Sequence, residues 1–451
     1  QYHLAAKVKE PPFSWFPQER TTDIYCEPFY TNTAKEVHFE PHSQMLNTQY
    51  LTYERAWVEY ALESGRWYTL SSPLQGVVSG DMYLPRGTAK QETPYFKNIT
   101  YDNTNYTRLA PAVYQQAWDK AEATTYRLER DELVNKLPPR LESSTATVNV
   151  ARAFDWSREY NDVKVPFGIN GFSVKVDVSR IEDYTKGNNE RDVLLRLPKD
   201  DTKYDYYLYD DATSGSETAD LKNLRENAGK LFTDGMPAGS MTVTLTNNSA
   251  DNPYFLVGNP FMSGLDLDEF FKENGGLEEK YWILTKDSYS ASIKTGEQWA
   301  STDKFTTGNV APLQAFFVKK SDGKGGTLNV TFTSDMAVQL TGDSLQTRAG
   351  GAPATLRLTA MRDGVESRAI VVCREEATEG FSAGEDVEAL FDSNLSHAPT
   401  LYTAAGEVAA AINVRRTLHG VPVGIGGEDE SEVTFTFDGV EQFGEELYLY
   451  D

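Results

Sequence analysis

The sequence predicts a mainly β fold: tandem β-sandwich modules, jelly-roll or immunoglobulin-like, with a few short helices. Three observations carry that expectation. Apolar runs are short and rich in aromatic or β-branched residues, as at 254–257 (YFLV), 281–284 (YWIL) and 315–318 (AFFV). Gly, Pro or Asn flanks the first and third, which favours strands over helices. Aromatic residues make up 12% of the chain, with 25 Tyr and 22 Phe, a composition suited to pleated, half-buried surfaces with hydroxyls at the rim. Alternating runs meet at turn dipeptides: Asp363-Gly364 joins 355–361 to 366–373, and Ala405-Gly406 joins 400–403 to 408–414.

Residues 1–50 are broken by Pro11, Pro12, Pro17, Pro28 and Pro41. They read as an irregular segment packed on the first β domain, with one alternating strand at 36–40. Residues 51–62 alternate and then meet Gly65, as one arm of a hairpin would. Between 112 and 137 there is no Gly or Pro, and Val113, Ala117, Ala121 and Leu128 keep near-helical spacing. That predicts a helix, ended by Pro138-Pro139. Strands are expected at 147–150, 171–178, 193–197 and 204–209, then a second short helix at 217–232 and a strand at 241–246.

Gly258-Asn259-Pro260 stops the next strand, because Pro260 has no N–H for a ladder and biases Asn259 to extended geometry. Asp266 then stands as the N-cap of a short helix, with Glu269 three residues on completing a capping box and Gly275-Gly276 ending it. Residues 341–354 are small, polar and Gly-rich, as a linker is. Beyond them, seven short strands in about 100 residues fit an immunoglobulin-like sandwich. The last of these is at 446–450, and a helical turn is inserted at 384–391. The expected β-rich units are therefore 51–240 and 241–340, as two domains or as one, and 355–451.

Two stretches of the chain look alike. Setting Pro73 on Pro260 pairs Trp67 with Tyr254, Tyr68 with Phe255, Leu70 with Val257 and Leu74 with Phe261. Residues 166–175 then match 312–319, and 193–200 match 328–335. Three blocks in one order predict a diverged internal duplication. The stretches 65–85 (GRWYTLSSPLQGVVSGDMYLP), 254–261 (YFLVGNPF) and 309–320 (NVAPLQAFFVKK) resemble the "GNP" modules of very large exported proteins of Bacteroidetes. Residues 355–364, 384–394 and 433–451 resemble the β-sandwich that often follows those modules. The resemblance covers the chain from about Trp57 onward; it implies an extracellular or outer-surface location and no particular chemistry. Gln1 and Asp451 both fall within elements, as in a fragment of a longer processed polypeptide.

Acidic residues outnumber basic ones 67 to 43, a net charge of -24. Nucleic acid and anionic bilayers both demand a basic face, so neither is an expected partner. No apolar run approaches the roughly 18 residues of a membrane span. The only cysteines, Cys26 and Cys373, lie hundreds of residues apart and are expected to be unpaired.

Candidates for chemistry are few. Asp200, Asp201, Asp205, Asp210 and Asp211 crowd one short stretch and are the calcium candidates, though EF-hand spacing is absent and a solvated acidic loop is the plain alternative. His38 and His42 lie in a β-like tract, where the helical spacing of zinc ligands does not apply. There is no G-x-S-x-G elbow, no cysteine signature and no Gly-rich phosphate loop. No catalytic residue and no cofactor are expected. Trp15, Trp118 and Trp299, with Trp67 and Trp156, are the candidates for stacking on a glycan, core packing or strand-edge cover being the plainer alternative for each; Trp282, inside YWIL, is expected in the core. Asn259 and Pro260 are expected to be structural and remote from any pocket.

These observations lead to a non-enzymatic secreted or cell-surface modular β-protein, an adhesin, stalk or structural module. Its expected partner is a glycan or another surface protein. A carbohydrate-binding accessory region of a larger adhesin or glycan-degrading enzyme is the second reading. A hydrolase with an unlocated carboxylate pair is the third.

Overall fold

Strands dominate the computed structural model. It describes residues 7–8, 20–21, 24–25, 32–75, 113–117, 171–176, 192–197, 229–235, 239–247, 250–303, 308–340, 354–378, 380–391, 395, 397–427, 431–444 and 446–450. In chain order the principal elements begin with β1 (Glu36–Phe39), β2 (Arg55–Glu63), β3 (Trp67–Leu70), β4 (Val113–Ala117), β5 (Phe172–Val176) and β6 (Asp192–Leu197). Next come β7 (Ser240–Asn247), β8 (Tyr254–Gly258), β9 (Gly264–Asp266), α1 (Leu267–Glu273), β10 (Lys280–Thr285), β11 (Ser288–Thr295) and β12 (Gln298–Ser301). The remainder are β13 (Ala315–Lys319), β14 (Gly326–Thr333), β15 (Thr355–Arg362), β16 (Val365–Cys373), β17 (Val387–Glu388), β18 (Thr400–Ala405), β19 (Val408–Arg415), β20 (Val423–Gly426) and β21 (Thr434–Asp438).

The chain divides into two compact units. The first comprises Gln1–Asn274, Val310–Phe316 and Asp322–Gln339; the second comprises Gly275–Asn309, Phe317–Ser321 and Leu340–Asp451. The stretch 241–340 thus contributes to both. Residues 341–353 of the expected linker lie outside the described residues. Among the described residues no helix is long and apolar enough to cross a membrane.

In the first unit, β2 alternates so that Ala56, Val58, Tyr60 and Leu62 are all buried. It pairs in parallel with β1 and antiparallel with β6. Both of its edges are therefore taken. After Gly65 (φ 80) the chain turns into β3, which joins a different ladder and pairs antiparallel with β5. The hairpin expected from 51–62 is for that reason a corner between two sheets, tied by Tyr60 Oη donating to Ser71 O at 2.7 Å.

The helix expected at 112–137 is also corrected where it is described. Val113–Ala117 is a strand on the outer side of β5, because the β-prone Val113-Tyr114 finds a ladder partner and tertiary pairing overrides spacing. Of the helix expected at 217–232, residues 229–232 are described; Leu231 there bridges to Leu74 and leads into a 3₁₀ turn, Phe232–Gly235.

The duplication read from the sequence has a counterpart in the ladders. In one set, β2 pairs with β6 and β3 with β5; in the other, β7 pairs with β14 and β8 with β13. Each set nests an inner pair of strands within an outer pair. The residues equated by sequence, Leu195 and Val330, stand opposite Tyr60 and Val243, and all four are buried.

Helix α1 starts where Asp266 predicts it. The Asp266 carboxylate accepts from the backbone N–H groups of Asp268 (2.8 Å) and Glu269 (3.3 Å). Glu269 does not close a capping box; its carboxylate pairs with Lys272 on the exposed face. The far end is set by Asn274 and not by the glycine pair that follows. Asn274 Nδ2 donates to Phe270 O (2.8 Å) and Thr331 O (2.9 Å), while Oδ1 accepts from Thr331 N (2.8 Å). The helix is thereby fastened to β14. Its apolar face buries Leu267, Phe270 and Phe271, with Phe270 edge-on to Phe316 at 5.4 Å.

In the second unit, β10 and β11 form a hairpin on Lys286 (φ 52) and Asp287 (φ 65), and β12 continues the meander. The C-terminal sheet runs β20-β18-β19-β16-β15-β21, with β17 on the side of β19. The β16–β19 pair is parallel, and the others are antiparallel. Asp363 (φ 50) and Gly364 (φ 76) make the two-residue turn expected of Asp-Gly. Leu356, Leu358, Ala360, Ala369, Val371 and Leu401 form the buried core.

Two expectations fail in this unit. Residues 446–450 join no ladder, and Tyr448, Leu449 and Tyr450 stand exposed. Among the described residues the main path of the sheet ends at β20 and β21, and alternation alone did not add 446–450 to either. At 384–391 a turn leads into the two-residue strand β17 in place of a helical turn.

Candidate functional site

Asn259 sits just after β8 and is wholly buried, at 0% exposure. Its Nδ2 donates to Ser263 O (2.9 Å), Ala311 O (3.0 Å) and Val310 O (3.3 Å), and Oδ1 accepts from Phe261 N (2.9 Å). Pro260 biases Asn259 to extended geometry, and the one carboxamide joins the separate segments that carry Ser263, Val310 and Ala311. Nearby, Ser71 Oγ lies 3.1 Å from both Asn259 O and Gln314 O, its donor shared between the two carbonyls. The Asn259 carboxamide is thus a structural joint between these segments.

A second polar cluster of the first unit centres on Tyr53. Its Oη donates to Asp234 Oδ2 at 2.5 Å and accepts from Leu231 N at 2.6 Å. Lys230 Nζ donates to Tyr53 O and lies 4.6 Å from the Tyr53 ring centroid. Burial, and then the Asp234 charge, push the Tyr53 hydroxyl well above its ordinary range. Burial likewise raises the Asp234 carboxyl, against the lowering effect of the Tyr53 hydrogen bond and the Lys230 charge. The cluster fastens 230–234 to the segment that leads into β2.

In the second unit a small pocket is lined by Trp282, Asp287, Tyr289, Ser367, Arg368 and Leu401, among others. Its volume of ≈ 20 Å³ is room for about one water molecule. Asp287 is 2% exposed and held in left-handed geometry by the β10–β11 turn, with Oδ2 3.4 Å from His397 Nε2. Trp282 is 0% exposed and donates its indole N–H to Glu388 O at 2.9 Å. It is a core residue, as its setting in YWIL predicts.

Beside it lies a square of four charges. Lys280 Nζ is 2.9 Å from Glu278 Oε2 and 3.9 Å from Glu388 Oε2; Lys319 Nζ is 3.5 Å from Glu278 Oε1 and also pairs with Glu388 Oε1. Two lysines and two glutamates cancel. The Lys280 side chain is 1% exposed, and its Nζ meets the carboxylates as a close charge without an aligned hydrogen bond. Burial opposes the charge on Lys319, but the hydrogen bond and charge of Glu388, with Glu278 behind them, outweigh it and raise its pKa. Both carboxylates are thus occupied with cations, an arrangement that locks strands together.

The sequence candidates fare differently. Trp15, Trp118, Trp156 and the acidic run Asp200, Asp201, Asp205, Asp210 and Asp211 lie outside the described residues. Trp67 is 1% exposed and belongs to the core. Trp299 is half-buried on β12, edge-on to Tyr281 with centroids 5.3 Å apart. His38 lies against Trp57, the ring centroids 4.8 Å apart. Among the described residues no group of three metal-ligating side chains gathers. Cys373 carries a free thiol.

Sequence reasoning missed the charge square and Asp287. Glu278 and Lys280 are close in sequence, but Glu388 is more than a hundred residues away, and no local pattern points to it. No family model, curated protein or solved structure matches this chain.

Proposed function

We propose that this chain is a non-enzymatic, secreted or cell-surface modular β-protein that acts as a stalk, adhesin or structural module. One observation carries the reading: Asn259, Asn274 and the Lys280–Lys319–Glu278–Glu388 square, the polar groups that stand out in the two units, hold segments of the chain to one another. Asn259 joins separate segments, Asn274 fastens α1 to β14, and the Lys280–Lys319–Glu278–Glu388 square locks β10 to its neighbours. The resemblance to GNP-type modules of exported Bacteroidetes proteins supports an extracellular or outer-surface location, and the -24 charge suits a solvated surface protein. In this reading the seven-stranded C-terminal sheet is an immunoglobulin-like module. Antibodies against the chain should label intact source cells or their culture medium; labelling only after lysis overturns the proposal.

A second reading, a carbohydrate-binding accessory region, rests on Trp299, which keeps part of its indole at the surface of β12. Here a glycan array should retain the protein, and Trp299→Ala should abolish retention in a chain that still melts cooperatively. Failure of the native chain to bind any glycan counts against it.

A further inference from the structure

The charge square of the second unit holds an amine within reach of a carboxyl carbon. Lys280 opens β10, and its side chain is 1% exposed. Glu278 Oε2 is 2.9 Å from its Nζ and Glu388 Oε2 is 3.9 Å away, yet among the described residues Nζ makes no aligned hydrogen bond. Those two oxygens are likewise buried without a hydrogen-bond partner. The Phe381 ring lies 5.5 Å from the same amine. The other oxygen of Glu388 accepts from Lys319 Nζ. Asp386, wholly buried, adds a further negative charge near Lys280, but its oxygens already accept from Val414 N and Ser382 N. An ammonium buried beside carboxylates that it does not hydrogen-bond bears the cost of desolvation with only part of the return.

We propose that this is a site of covalent self-modification: Lys280 Nζ condenses with Glu388 Cδ to an amide that crosslinks β10 to β17. Each neighbour has a part. Glu278, beside the amine, takes a proton from it and passes it to the leaving oxygen, acting as general base and then as general acid. Lys319 holds the other oxygen of Glu388 and stabilises the negative charge that develops there as the nitrogen attacks. The N–C bond forms and one C–O bond of Glu388 breaks. Two of the three ammonium protons leave with that oxygen as water, and Glu278 ends as it began. No oxidant or other reactant is needed. Lys280 is the nucleophile because Lys319 is tied by its hydrogen bond to Glu388, whereas the flexible Lys280 stem carries an amine that lacks one. Burial supplies the proximity and the exclusion of water that the same reaction lacks in solution. The product replaces two buried charges with a neutral amide and leaves Lys319 and Glu278, 3.5 Å apart, as a balanced pair. The inference stands on this cluster alone and not on where the protein works.

The test is intact-mass spectrometry of the purified full chain, together with peptide mapping. The mass should fall one water below that of the sequence, and a protease digest should yield one branched peptide that joins Lys280 to Glu388. Lys280→Arg keeps the positive charge but removes the nucleophilic amine, so it should restore the full sequence mass. Glu278→Gln, in a chain that still melts cooperatively, should leave most of the protein uncrosslinked, because the proton carrier is gone while the two reacting groups remain. A folded native chain at the full sequence mass overturns the proposal. So does a branched peptide that runs through Lys319 in place of Lys280, or a Glu278→Gln chain as fully crosslinked as the native one.

Discussion

Asn259 shows how much one buried side chain can carry. Its replacement by Ala leaves Phe261 N and the carbonyls of Ser263, Val310 and Ala311 without that partner. Each buried group left unmade costs about 1–3 kcal/mol. Asn259→Ala should therefore lose on the order of 3 kcal/mol, read as a lowered denaturant midpoint with an unchanged slope. The sequence announced the strand stop through Pro260. It could not announce the partners, because Val310 and Ala311 arrive from some fifty residues further along. Lys319 gives a pH prediction of known sign. Its folded-state pKa lies above the ordinary 10.5, so the stability it contributes is complete at neutral pH and is lost as pH rises through the folded value. Urea midpoints should fall above pH 10.5 more steeply in the native chain than in Lys319→Met.

At the scale of elements, α1 reverses the ranking its sequence suggests. Asp266 caps the exposed start, and Asp266→Ala should cost about 1 kcal/mol. Asn274 is 8% exposed and makes three hydrogen bonds at the other end, so Asn274→Ala should cost about 2–3 kcal/mol. Equal effects in thermal melts would show that the link to β14 is not what holds the helix. In the β15–β16 hairpin, Gly364 at φ 76 makes Gly364→Ala destabilising by about 1–2 kcal/mol. This turn was legible because Asp-Gly encodes its own geometry. The strand at 113–117 was not, because helical spacing and β-prone residues compete there and the distant β5 decides. Residues 446–450 failed in the opposite sense: an alternating pattern offers a strand, but a strand forms only where a partner strand receives it.

Across the whole molecule, the mainly β character was written in short aromatic runs and turn residues. What stayed hidden was which strand pairs with which. Ladders such as β2–β6 and β7–β14 join residues far apart in sequence, and local periodicity carries no information about partners. The blocks that look alike in sequence supplied one clue, since they lie in two nested sets of ladders. The candidate site was legible only in part for the same reason. Aromatic residues could be named from the sequence, but the charge square depends on Glu388 meeting Lys280 and Lys319.

Two matched sets of nested ladders hold the first unit, and native-state hydrogen exchange of the full chain reads them directly. The slowest amides should fall in the paired segments of β2, β6, β7 and β14, with similar protection in the two sets. If one set exchanged as fast as the loops while the other stayed protected, the matched scaffold would be contradicted.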